Sequence, residues 1–271
     1  MDADLDLVEA RRAVSEFITR ARERDPSLLV SMYARDLTNG PWIGIEEAAP
    51  FVSASLAKVP VMIYQLALAE EDPSHLESET IFRGSESTSS GDLPEGQRLR
   101  AGEAYTVSDL LLRMIAFSDN DARELLMEGA PPAAVNAMMR TFHADMSRQD
   151  GQWVTSARSY AALFRILYNA TFLSRAMSEY ALGLLSQSHY QGALRRFIPE
   201  DVTIASKYGY FRNGGTGHEQ RQFHECGIVY EPGSPYILCV MTRSDRESQE
   251  DLAEIVANVS RIVWQTKTSG S

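Results

Sequence analysis

The sequence predicts an α+β fold in which one antiparallel sheet is built from both ends of the chain and flanked by helices, with an all-helical subdomain inserted between its halves. Three observations predict it. Strand-like runs cluster before residue 52 and after residue 200; segments with an apolar stripe at 3.6-residue spacing fill the middle; and neither an internal repeat nor a linker divides the chain. The expectation is a single domain over residues 1–271, with a sheet subdomain at about 1–52 and 200–265 and a helical subdomain at about 53–199.

Each element has its own signal. Leu7, Val14, Phe17, Ile18 and Ala21 recur at helical spacing among charged neighbours, predicting a first helix that stops before Asp25-Pro26. LLVSMYARD and WIGIEE read as a strand pair joined through Thr38-Asn39-Gly40-Pro41, an Asn-Gly turn signal. From Ser55, KVPVMIYQLALAEE reads as helix, and the Ser-, Gly- and charge-rich stretch SHLESETIFRGSESTSSGDLPEGQRLRAGEAY reads mostly as loop. VSDLLLRMIAFS, DARELLMEGA, AAVNAMMRTFH, SARSYAALFRILYN and SRAMSEYALGLLSQS each carry an apolar face. TIASKYGYF, RQFHECGIVY and YILCVMTR return to strands, the last two joined by Glu231-Pro232-Gly233-Ser234-Pro235. A final helix begins near Ser248, which forms a capping box with Asp251.

Composition narrows the function. A chain of 271 residues with 44% hydrophobic content can bury one large core or two interlocked ones. A formal net charge of -11 and the lack of a basic stripe argue against nucleic acid, whose affinity comes from clustered Lys and Arg. The five histidines are scattered, none at zinc-site spacing with a second ligand, so no metal and no cofactor is expected. No apolar run is long enough to span a membrane, and the acidic start MDADLDLVEARR is no signal peptide. Two compartments stay open: the cytoplasm, or an extracytoplasmic site for a chain whose export signal has been removed. A monomer is expected.

Cys226 and Cys239 fall in neighbouring strand-like runs, where reduced thiols pack as small hydrophobes; a disulfide is the less expected alternative.

Three short patterns follow in order: Ser55-Leu56-Ala57-Lys58, Ser118-Asp119-Asn120 and Lys207-Tyr208-Gly209. A match to SxxK alone arises about once by chance in a chain of this length, whereas a chance SDN arises in only about one such chain in twenty-five. The chemistry is coherent. A Ser at a helix start and a Lys three residues on share one face, so the amine can take the proton that the hydroxyl must lose. Burial and a neighbouring cation favour the neutral amine, and Lys207 is the candidate cation. A helix N-terminus also offers the Ser55 amide to an oxyanion.

With PFVSASLAKVPVM, YTVSDLLLRMIAFSDNDARELLM and the closing strands and helix, roughly residues 28–265 resemble class A β-lactamases, a penicillin-recognising family of SxxK serine enzymes. The resemblance implies a β-lactamase/transpeptidase-like fold and an acyl-enzyme on Ser55, formed from a β-lactam or a peptidoglycan stem peptide. It implies that Ser118 relays a proton to the leaving nitrogen, that Asn120 binds the substrate amide and that Lys207 holds the substrate carboxylate. It also implies that Tyr208 and Gly209 line the strand beside the substrate and that the Tyr210 amide is the second oxyanion donor. Asp119 is expected to act locally.

Plain structural readings stand beside these. Ser55 could be an N-cap, Lys58 a solvated helix residue and Ser118-Asp119-Asn120 an inter-helix turn. KTSG at 267–270 is expected to lie in a tail after the last helix. His224 and Glu225 could line a cleft, although alternation turns one of them away; the plainer expectation is partly buried or edge polar residues. Met138, Met139 and Met146 are expected in the core.

The chain departs from the resemblance twice. The family's loop glutamate, which activates the deacylating water, is missing: HADMSRQDGQWV between Phe142 and Thr155 holds only Asp145 and Asp150 as acids, with Asp150 or Gln149 nearest the missing position. Tyr208 stands where the family has a small hydroxyl, and a phenol there either points away or narrows the site. Three readings result: a β-lactamase-like hydrolase with impaired deacylation, a D-alanyl-D-alanine carboxypeptidase or other peptidoglycan amidohydrolase, and a binding domain for an antibiotic or cell-wall fragment.

Overall fold

The computed structural model describes residues 3–38, 40–84, 93, 98–142, 144, 146–213 and 219–269. The elements in chain order are α1 (Ala3–Arg24), β1 (Leu29–Asp36), β2 (Trp42–Ile45), β3 (Phe51–Val52), a 3-10 turn (Ala54–Ala57) and α2 (Lys58–Glu71). A second 3-10 turn (Pro73–Glu77), β4 (Glu79–Ile81) and β5 (Ala104–Thr106) follow. Then come α3 (Val107–Ala116), α4 (Asn120–Glu128), α5 (Pro132–Thr141), β6 (Ser147–Gln149), β7 (Gln152–Thr155), α6 (Ala157–Asn169) and α7 (Arg175–Leu185). The chain closes with β8 (Ile204–Arg212), β9 (Arg221–Val229), β10 (Tyr236–Ser244) and α8 (Gln249–Ser269). The fold is α+β, as the pattern predicts. Asn39 of the first turn, most of 85–97 and Asp145 lie outside the described residues.

Two compact units divide the chain: residues 1–56, 144–164 and 191–271 form one, and 57–143 with 165–190 the other. Residues 53–56, 144–164 and 191–199, which the sequence groups with the helices, fall in the unit that holds the five-stranded sheet. The reason is local. Asp150-Gly151, both at positive φ, close a hairpin of β6 and β7, and β7 pairs with β3 through Phe51↔Thr155 and Val52↔Val154.

In the first unit an antiparallel five-stranded sheet has the order β2-β1-β10-β9-β8, so the strands from the two ends of the chain meet where β1 pairs with β10. Strand β10 is buried almost throughout, which explains its unbroken apolar run. Leu7, Ala10, Val14, Ile18 and Ala21 of α1 and Leu252, Val256, Val259 and Val263 of α8 are buried. The Ser248–Asp251 capping box is formed, with Ser248 Oγ accepting from the Asp251 amide at 3.1 Å and the carboxylate accepting from the Ser248 amide at 3.0 Å.

Two expectations are corrected here. Cys226 and Cys239 face each other in the β9–β10 register with Cα atoms 3.9 Å apart, and they form a disulfide rather than two thiols. Adjacent strands bring directly opposed residues close enough for the bond. Lys267 is not in a tail: α8 extends to Ser269, and the Lys267 ammonium donates to Asp36 Oδ2 at 2.7 Å with both side chains buried.

In the second unit α2 is buried along Val59, Val61, Met62, Ile63 and Leu66, and it packs with α3, α4, α5 and α7. Met138 and Met139 are core, while Met146 is only half-buried in the first unit. No helix among the described residues is long and apolar enough to cross a membrane.

Candidate active site

The unit boundary falls within the run that carries Ser55 and Lys58, so each unit holds part of the residue set.

In the first unit, β3 leads into the 3-10 turn. Ala54, immediately before Ser55, has φ 47°, a left-handed conformation costly for a residue with a Cβ. The Ser53 amide donates to the Trp153 carbonyl at 2.7 Å, and the Leu56 amide donates to the Ser53 carbonyl at 2.9 Å. The Tyr160 hydroxyl, fully buried, donates to the Leu56 carbonyl at 2.9 Å, and burial raises its pKa well above the ordinary phenol value. Ser55 is not the cap of α2: the helix begins at Lys58, and its N-cap position, Ala57, makes no side-chain hydrogen bond.

Strand β8 packs directly on this turn. A Cβ added to Gly209 would stand 3.0 Å from the Ser55 nitrogen and 3.2 Å from the Leu56 nitrogen, so a side chain there would press on the backbone of the turn. The Tyr210 backbone follows by one residue. Lys207 is buried with Nζ 4.1 Å from the centre of the Tyr208 ring. Tyr208 is buried too, its ring stacked on Phe223 at 6.4 Å and its position opposed to Glu225 in the ladder. By strand alternation it occupies the face opposite Gly209.

In the second unit Lys58 is buried, and its ammonium donates to the Ser118 carbonyl at 2.5 Å, the Ser118 hydroxyl at 3.0 Å and Asn120 Oδ1 at 2.7 Å. Lys58, Ser118 and Asn120 are thus brought together, and Lys58 is no solvated helix residue. Ser118 is itself at φ 57°, a strained turn that points its carbonyl and hydroxyl at one amine. Asp119 has the local role expected, capping α4 by accepting from the amides of Asp121 and Ala122 at 2.9 and 3.3 Å. Burial raises its pKa above the usual carboxylate value, against those two bonds.

Gln149 and Asp150 are exposed, with Asp150 at the tip of the β6–β7 hairpin. Among the described residues no group of His, Cys, Asp and Glu is arranged to hold a metal.

His224 and Glu225 correct another expectation, since both are fully buried in a strand flanked by β10 and β8, not at an edge. Glu225 accepts from the Ser206 hydroxyl at 2.6 Å and the Leu194 amide at 2.9 Å; burial still raises its pKa. Burial lowers the His224 imidazole to about 4, assisted by Arg243, against the hydrogen bond to Val52. The sign follows. A neutral His224 stabilises the fold fully above its unfolded pKa of 6.5, and that contribution is lost as pH falls toward 4, amounting to about 3 kcal/mol. Glu225 acts oppositely, so the readout is a difference. Urea unfolding at pH 7 and pH 4 should show His224→Gln losing about 3 kcal/mol less than the parent protein, and equal losses would refute a buried neutral imidazole.

The chain is similar to known proteins over most of its length. The sequence profile Beta-lactamase2, described as the beta-lactamase enzyme family, matches residues 11–267. Beta-lactamase L2 of Stenotrophomonas maltophilia is 25% identical over 245 residues, covering 84% of this chain and 77% of that protein. A structure of a PBP-A point mutant in acyl-enzyme complex with penicillin G superposes with a TM-score of 0.78 at 20% identity, covering 95% of this chain and 97% of that one. A class A β-lactamase variant of the last common ancestor of Gram-negative bacteria gives a TM-score of 0.81 at 22% identity, with 96% and 100% covered.

Proposed function

Because the chain belongs to the beta-lactamase enzyme family, we propose that it is a serine hydrolase that forms an acyl-enzyme on Ser55 with β-lactams or related amides and releases it slowly. The observation that carries the reading is the buried Lys58 ammonium shared by Ser118 and Asn120, three residues after Ser55. A buried amine held by a hydroxyl is a proton relay in waiting.

In this reading the reactive form of Lys58 is the neutral amine, which takes the Ser55 proton as the hydroxyl oxygen attacks the substrate carbonyl. The amides of Ser55 and Tyr210 stabilise the resulting oxyanion. Ser118 passes a proton to the nitrogen as the C–N bond breaks, Asn120 binds the substrate amide, and Lys207 binds its carboxylate. Tyr208, stacked on Phe223, supplies no small hydroxyl to that carboxylate, and Gly209 lets the strand lie against the serine turn. Water then hydrolyses the ester.

Slow release is favoured by the segment between Phe142 and Thr155, which contains no glutamate and presents Asp150 on an exposed hairpin tip. The same observation favours a second reading, a D-alanyl-D-alanine carboxypeptidase or related amidohydrolase, which shares the acylation step. The Cys226–Cys239 disulfide supports an extracytoplasmic setting for either.

Rapid mixing with a chromogenic cephalosporin tests the proposal. The expected trace is a burst of about one equivalent followed by turnover orders of magnitude slower. Fast turnover without a burst would replace slow release with an efficient β-lactamase, Asp150 being the first residue to test. Absence of both burst and turnover would leave a binding domain.

A further inference from the structure

The geometry points to Gln222 and His224 as a pair of positioning residues that clamp the Val52 peptide onto β9 and so fix the Ser55 turn for acylation. The inference rests on the function proposed for Ser55. Strand β3 lies at the edge of its three-stranded sheet, paired with β7 on one side. The N–H and carbonyl of Val52 are held instead by two side chains of β9. The Val52 amide donates to Gln222 Oε1 at 3.0 Å, and His224 Nε2 lies 3.0 Å from the Val52 carbonyl. A carbonyl only accepts, so His224 carries its proton on Nε2, and its buried neutral form suits that single role.

Both side chains are buried, and each has support. Gln222 Nε2 donates to Gln220 Oε1 at 3.1 Å, which orients the amide so that its oxygen faces Val52. The Phe51 ring packs edge-on to the imidazole at 5.3 Å and lies under the Arg243 guanidinium at 5.6 Å. From Val52 the chain reaches Ser55 in three residues through the left-handed Ala54.

The other side of the turn has no slack either. His224 is opposed in register to Gly209, where an added Cβ would stand 3.0 Å from the Ser55 nitrogen. One strand pair therefore fixes both ends of the proposed oxyanion site: β8 presents the Tyr210 amide, and β9 holds the peptide that leads to the Ser55 amide. Loss of the clamp lets the turn shift against β8, and a displacement of about 1 Å in such a site costs roughly 10²-fold in rate.

The test measures Ser55 acylation by benzylpenicillin under single-turnover conditions, together with amide hydrogen exchange at Val52, in the full chain and in Gln222→Met, His224→Leu and His224→Gln. The clamp predicts that Gln222→Met and His224→Leu lower the acylation rate constant by roughly 10-fold to 100-fold, with the preceding binding step changed less than about threefold. Val52 exchange should quicken in Gln222→Met, and His224→Gln, which keeps a donor, should recover most of the rate. His224→Gln is also the variant best placed to fold if His224→Leu does not. Unchanged acylation with unchanged Val52 protection would overturn the clamp. If the unaltered protein ignores penicillin, the function proposed for Ser55 fails separately. The clamp is then decided by Val52 exchange and by Ser55 labelling with a fluorophosphonate, both of which should still respond to Gln222→Met.

Discussion

Lys58→Met slows the acylation of Ser55 by roughly 10²-fold to 10⁴-fold, the loss expected when a positioned proton acceptor is removed. Methionine keeps the length of the side chain while removing the amine. The Ser118 carbonyl, Ser118 hydroxyl and Asn120 amide oxygen then lose the donor that joins them. Losing a buried ion and leaving acceptors unmatched have opposite effects on stability, each on the order of 1–3 kcal/mol, so the rate is the informative readout. Lys58→Arg separates base from cation. A guanidinium keeps the charge but cannot give up a proton near neutral pH, so this variant should be as slow as Lys58→Met. Single-turnover acylation with penicillin measures both, and a fast Lys58→Arg would show that Lys58 supplies charge only.

Asp36→Ala destabilises the protein by about 3–5 kcal/mol, because it leaves the Lys267 ammonium buried without its carboxylate. Asp36 also accepts from the Thr38 amide at 2.7 Å and the Ser234 hydroxyl at 3.3 Å, so the loss extends to the turns at this end of the sheet. The pair ties the last turn of α8 to the end of β1, and Lys267 lies 5.5 Å from the Tyr236 ring centre. Replacing both partners, as Asp36→Leu with Lys267→Met, should recover most of the loss, since a buried pair is often matched by apolar residues of similar volume. Urea unfolding checks both. A stability loss of less than about 1 kcal/mol in Asp36→Ala would mean that Lys267 finds water when its partner is gone.

The long elements were legible because their periodicity is sustained. α2, with apolar residues nearly all round, and β10, apolar from Tyr236 to Met241, declare themselves as buried. The Lys58–Ser118–Asn120 group was legible because SxxK and SDN place chemically specific residues at short spacing. The β6–β7 hairpin was not, since three- and four-residue strands carry too little alternation to register, although Asp150-Gly151 is a turn signal that could have exposed it. Lys267 was misread because a charged residue near a chain end looks solvated, and only the distant Asp36 makes its burial tolerable. The disulfide depended on an exact register between β9 and β10 that apolar runs do not specify. The strain at Ala54 and Ser118 leaves no mark in sequence, as neither is a residue type that favours positive φ. His224 and Glu225 did stand out as polar residues in an apolar run. What their side chains hold, Val52 in one case and Ser206 with Leu194 in the other, lies far away in the chain.

The central claim, that Ser55 is the nucleophile, is tested most directly by intact-mass spectrometry of the protein mixed with benzylpenicillin, followed by peptide mapping of the adduct. The account predicts one added penicilloyl mass, located on Ser55, persisting through many minutes and absent in Ser55→Ala. An adduct on any other residue, or one that survives Ser55→Ala, would contradict it.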